Sequence, residues 1–120
     1  MKKNSNQELK QALQVVTSTI KNCEKMQPKF EEGTSQHSLL KNRIKALYIS
    51  KALLEGEDIA KVYSKEDLDN ALPPITSIIS KSENGIKKFQ EGHSTYTRFK
   101  KIIDTMNLCK ALLSEAIDKY

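Results

Sequence analysis

The stretch "FEEGTSQHSLLK" at residues 30–41 returns in step as "FQEGHSTYTRFK" at residues 89–100. Each copy sets a phenylalanine, a glycine and a serine at the same spacing, which reads as a joint between two helices. Gly33 and Gly92 suit the left-handed residue that closes a helix, and Ser35 and Ser94 suit the cap of the next one. A joint of two or three residues folds the chain back on itself, so each stretch predicts an antiparallel helical hairpin.

The echo extends well beyond the joint. An offset of 59 positions aligns residues 5–54 with residues 64–113 without a gap and gives nineteen identities, from Ser5/Ser64 to the run Lys51-Ala-Leu-Leu54 over Lys110-Ala-Leu-Leu113. Shared composition does not produce that many matches, so the chain reads as a tandem duplication. Hairpin repeats over about 5–55 and 64–120, with a linker at 56–63, then form a single domain over residues 1–120.

Apolar residues keep helical spacing inside each copy. The first stripe is Leu9, Leu13, Val16, Ile20, Cys23, Gln27 and Phe30, matched by Leu68, Leu72, Ile75, Ile79, Ser82, Ile86 and Phe89. The second is Leu40, Ile44, Leu47, Lys51 and Leu54, matched by Phe99, Ile103, Met106, Lys110 and Leu113. One hairpin cannot hide its stripe alone, so the expected fold is all-α: an antiparallel up-down-up-down four-helix bundle. A first helix of about 28 residues, roughly 40 Å at 1.5 Å per residue, predicts a slender rod.

Local signals refine that expectation. Ser5 and Ser64, each followed three residues later by an acidic side chain, suit helix caps. Pro73-Pro74 predicts a kink or restart after Leu72, and Gly85 should loosen the same helix by roughly 1 kcal/mol relative to alanine. Ile59, Val62 and Tyr63 are expected to tuck over the bundle end. Lys51 and Lys110 are expected to lay their stems along the apolar stripe and send their ammonium groups outward. Cys23 falls level with Ile44 and Ser82, Cys109 level with Ser50 and Thr76, about 9 Å further along the axis. That separation exceeds disulfide geometry and predicts two free thiols.

Composition excludes several function classes. The two cysteines form no Cys/His pattern, so neither a zinc site nor a disulfide scaffold is indicated, and no cofactor is called for. The N-terminus has no apolar core of a signal peptide, and no apolar run reaches about eighteen residues, which points to the cytoplasm and away from membranes. There is no G-x-S-x-G elbow and no glycine-rich phosphate loop, so the chain reads as non-enzymatic.

Charge is the remaining signal. The net charge is +5, and residues 1–56 hold ten Lys/Arg against five Asp/Glu, while residues 57–120 hold ten against ten. Gln36, His37, Lys41, Asn42, Arg43 and Lys45 follow the first joint; Arg98, Lys100 and Lys101 follow the second. Gathered at one bundle tip beside two helix starts, these residues form a candidate anion- or partner-binding surface. The helices are too long for a helix-turn-helix unit, and aromatic residues for base stacking are few.

The phrases "EEGTSQHSLLKNRIKALYISKALL" and "YSKEDLDNALPPITSIISKSE" resemble a helical-hairpin repeat family of small, uncharacterised bacterial proteins with a GTSQHSLLKNRIKAL-type motif. The resemblance covers most of the chain and is sharpest from Gly33 to Ile44; the second copy keeps only the glycine, serine, lysine and isoleucine. It implies a bacterial, cytoplasmic helical protein and carries no catalytic residues. It also implies that a single-unit relative would dimerise to complete a bundle.

Three functional readings follow. The first is a small helical interaction or regulatory protein with a protein partner, itself a monomer or weak homodimer. The second is nucleic-acid or polyanion binding through the basic tip, and the third is an immunity-type protein against a toxin or bacteriocin, which rests on size and class alone.

Overall fold

A computed structural model describes residues 6–120, and the expected cap at Ser5 lies outside them. Four helices pack as an all-α bundle: α1 (Asn6–Met26), α2 (Ser35–Leu54), α3 (Lys65–Ile86) and α4 (Ser94–Lys119). Single 3-10 turns stand at Gln27–Lys29 and Ile59–Lys61. Both hairpin joints turn through glycines with positive φ, +91° at Gly33 and +95° at Gly92, a conformation that favours glycine because it has no Cβ.

The first helix is shorter than its stripe predicts. Pro28 has no N–H to donate and disfavours helical geometry at Gln27, so α1 stops at Met26 after 21 residues, about 31 Å. The bundle is also a slab of 42 × 42 × 19 Å and no slender rod. It is about two helices thick because the hairpins meet mainly along α2 and α3, while α1 and α4 barely touch.

α2 is the central helix and packs against all three others. Leu47, Ala46, Ile49 and Ser50 are fully buried, so α2 presents apolar atoms on more than one face. Val16, Leu68, Ile75, Met106 and Leu113 complete one continuous core. Cys109 also belongs to that core, whereas its neighbour Lys110 faces water. Lys51 is half-buried, while Lys110 is exposed.

α3 runs unbroken through Pro73 and Pro74, so the expected restart after Leu72 is absent. The prolines leave the carbonyls of Asp69 and Asn70 without their helical donors, but both residues are exposed to solvent. The N-terminus of α3 carries a complete capping box. Asp67 N–H donates to the Ser64 hydroxyl and Ser64 N–H donates to the Asp67 carboxylate, both at 3.0 Å.

Gly85 has a different role from the one its propensity suggests. A Cβ at this position would stand 2.6 Å from the tip of the Phe99 ring, so the missing side chain is the space that the ring fills. The matched pair in the first copy is Met26 and Leu40, a large residue facing a medium one. Gly85→Ala is expected to destabilise the protein by about 1 kcal/mol, because overpacking outweighs the gain in helix propensity. In a Phe99→Leu background the same change should stabilise by a similar amount, and urea denaturation of the four proteins in the cycle checks the reversal.

The linker lies along α2 rather than over the bundle end. Ile59 is buried, Tyr63 is half-buried, and Val62, expected to tuck in, is 74% exposed. Lys45 in mid-α2 donates to Asp67 at the start of α3 across 2.7 Å, so α3 begins well inside the end of α2. The Tyr120 hydroxyl donates to the Tyr63 carbonyl at 2.7 Å and ties the end of α4 to the linker.

Candidate interaction surface

The helix joints place the caps one residue earlier than expected. Thr34, not Ser35, caps α2: its hydroxyl accepts from His37 N–H at 3.3 Å and donates to the Glu31 carbonyl at 2.7 Å. His93, at the matched position, caps α4 through Nδ1, which accepts from Thr95 N–H at 3.1 Å. Its ring proton therefore sits on Nε2, and the ring packs 5.1 Å from that of Phe89. Ser35 and Ser94 are the first helical residues instead. Thr34→Ala should lower stability by about 1 kcal/mol and Ser35→Ala by only a few tenths, a contrast that thermal unfolding resolves.

His37 is half-buried in the first turn of α2, and Gln36 is exposed beside it. Lys41 and Asn42 are exposed on the next turn. Arg43 turns inward: its guanidinium lies against the Cys23 thiol of α1, and its Nε is buried without a hydrogen-bond partner. Burial pushes the Cys23 thiol up from its ordinary value, and the neighbouring Arg43 charge partly opposes that. Arg43 is thus drawn into the α1–α2 hairpin.

Lys45 is engaged as well. Its bond to Asp67 holds the carboxylate below the usual range, helped by the Ser64 backbone N–H, and holds the ammonium above its own. Lys100 pairs with Asp104 one turn along α4 at 3.0 Å, while Arg98 and Lys101 are exposed. Lys45 meets α3 at Asp67, whereas Phe99, between Arg98 and Lys100, meets it at Gly85. Eighteen residues of α3 separate those points, about 27 Å along its axis. Lys45 and residues 98–100 therefore meet α3 at widely separated points.

A different surface stands out, one that charge counting in the sequence does not reveal. Between α1 and α4 runs an open groove of about 650 Å³, lined by Glu8, Ala12 and Val15 on one side and Lys101, Asp104, Thr105 and Leu108 on the other. Ala12 and Thr105 are buried at its floor; Val15 and Leu108 are half-buried on its walls. The apolar spacing of α1 and α4 predicts each wall separately. Only the packing shows that the walls stay apart.

The two thiols are free and buried. Cys109 contacts the Ser50 hydroxyl, which itself donates to the Ala46 carbonyl at 2.9 Å. Burial pushes the Cys109 thiol up to about 11, and the Ser50 contact opposes that only in part. Among the described residues, no group of three or more His, Cys, Asp or Glu stands together to hold a metal ion, and no helix is long and apolar enough to cross a membrane. Comparison of the chain with protein-family profiles, curated proteins and solved structures finds no match.

Proposed function

We propose that the protein is a small, non-enzymatic helical interaction or regulatory protein of the bacterial cytoplasm that binds a protein partner. The observation that carries this reading is the open side of the bundle. Three sides of the helix packing are closed, while α1 and α4 leave apolar walls facing a groove. A surface of this shape suits helix recognition, because two neighbouring helices already present both walls.

The dispersal of the basic residues favours a protein partner over a polyanion. Lys45 and Lys100 are engaged with carboxylates, and Arg43 is turned toward Cys23. Co-purification from native lysate, run in parallel with and without nuclease, tests the reading. The expected result is a stoichiometric protein partner retained at both about 50 and about 200 mM salt. Retention of nucleic acid alone, lost over that salt range and lost on charge reversal at Lys41 and Arg98, would overturn it.

A further inference from the structure

His93 holds the start of α4 through a group that acid can change. Its Nδ1 accepts from Thr95 N–H at 3.1 Å, and its carbonyl accepts from Thr97 N–H at 3.1 Å and opens the helical ladder. The 59-residue offset puts Thr34 at the matched position of the first joint, where a hydroxyl caps α2. A hydroxyl keeps its lone pairs at any ordinary pH. An imidazole nitrogen keeps its lone pair only while the ring is neutral, because a second proton takes that site and turns the acceptor into a donor. The two matched joints therefore differ in one chemical respect, and only the second carries a titratable cap.

His93 is exposed, so protons reach the ring freely. The charged side chains beside it in the second hairpin are Glu83 in the last turn of α3, Lys87 and Lys88 after it, Glu91 in the joint and Arg98 in α4. Among the described residues none of these makes an ion pair with the ring. A charge on the ring is also unfavourable by position, since the first turn of a helix holds the positive end of its dipole. The Phe89 ring, 5.1 Å away, attracts a cation and offsets part of that loss. It does not give Thr95 N–H a new acceptor.

The cap stands next to the tightest seam of the hairpin. Phe89 lies 6.1 Å from Phe99, and Phe99 fills the space that Gly85 leaves in α3. The rings of His93, Phe89 and Phe99 form one row across the joint, and Thr95 and Tyr96 in the first turn of α4 are half-buried beside it. Loss of the cap leaves Thr95 N–H unpaired and frays the turn that carries this row.

We propose that His93 is an acid-sensitive latch on the second joint: its neutral ring holds the start of α4 closed, and its protonation frays that start while the joint capped by Thr34 stays shut. The latch contributes in full while the ring is neutral, and its contribution is lost as the pH falls. It is independent of what the chain binds.

Thermal unfolding of the full chain at about pH 7.5 and about pH 5, on either side of ordinary histidine titration, tests the proposal. His93→Asn keeps a side-chain acceptor at the cap that does not titrate, and His37→Gln removes the other histidine. From the higher to the lower pH the wild type should lose about 4 °C more in Tm than His93→Asn does. His37→Gln should lose as much as the wild type. Carboxylates that titrate toward the lower pH are common to all three proteins and drop out of the comparison. Amide hydrogen exchange, corrected for the intrinsic effect of pH, locates the change: Thr95 N–H should lose about fivefold or more of its protection at the lower pH. In His37→Gln the amide at position 37, held by Thr34, should keep its protection. Equal losses of Tm in the wild type and His93→Asn would overturn the proposal, as would a loss that disappears in His37→Gln. Exchange at Thr95 on the wild type needs no variant, and unchanged protection there overturns the proposal by itself.

Discussion

Replacing both Pro73 and Pro74 with alanine should raise the unfolding free energy by about 2 to 4 kcal/mol. A proline in a helix interior costs about 3 kcal/mol relative to alanine. Part of that cost is absent here, because Asp69 and Asn70, which carry the freed carbonyls, are exposed to solvent. Alanine also restores flexibility to the unfolded chain, which returns up to about 1 kcal/mol per site. What remains is two backbone hydrogen bonds made in place of none, with no change in the core, since Pro73 is exposed and Pro74 only half-buried. Urea unfolding should show a higher midpoint at an unchanged slope. An unchanged or lower midpoint would mean that the prolines fix the path of α3 against α2.

Raising the pH from about 9 to about 11 should remove about 2 kcal/mol of stability through Cys109 alone, since a displacement of one pH unit is worth about 1.4 kcal/mol and the loss is only partial at either end of the window. Burial pushes the thiol up from an ordinary value near 9 to about 11 in the core. Below pH 9 both folded and unfolded chains hold the proton, and the buried thiol contributes in full. Between those values the unfolded chain releases its proton and the native chain does not, so the equilibrium shifts toward unfolding. Tyrosines and lysines titrate nearby, so the effect is read as the difference between the wild type and Cys109→Ala. The alanine variant should lose less stability over that window. Parallel curves for the two proteins would show that the native thiol ionises with the rest of the chain.

The joints were the most legible part of the sequence. Glycine at positive φ is required by backbone sterics alone, so Gly33 and Gly92 announced both turns without tertiary context. The caps were misplaced by one residue because threonine, histidine and serine can all accept at a helix start, and which one does so depends on the path of the incoming chain. Periodicity found one face of α2 but not its second, since Ala46, Ile49 and Ser50 are buried only because α2 has three neighbours. The length of α1 was misjudged because the apolar stripe continues through Phe30 while Pro28 ends the hydrogen-bond ladder.

The surface was less legible than the fold. Clustering in sequence placed Arg43 and Lys45 on one tip, yet one turns to Cys23 and the other reaches Asp67. Both engagements depend on how far α3 slides along α2, which no local pattern encodes. The groove has the same origin. Its apolar floor and walls read as parts of two separate helix faces, and only the packing of α1 beside α4 brings them together.

The sparse contact between α1 and α4 also shapes the native ensemble. α1 takes most of its support from α2 and only a little from α4, whereas every other helix packs closely against two neighbours. Partial openings follow the weakest boundary in a structure, and here that boundary isolates one helix from a three-helix body. Motion of α1 about the joint at Gly33 therefore crosses the least-packed boundary of the bundle. The width of the groove varies with that motion, so its shape is a distribution with a favoured value, and an occupant that spans both walls narrows the distribution by holding α1 to α4.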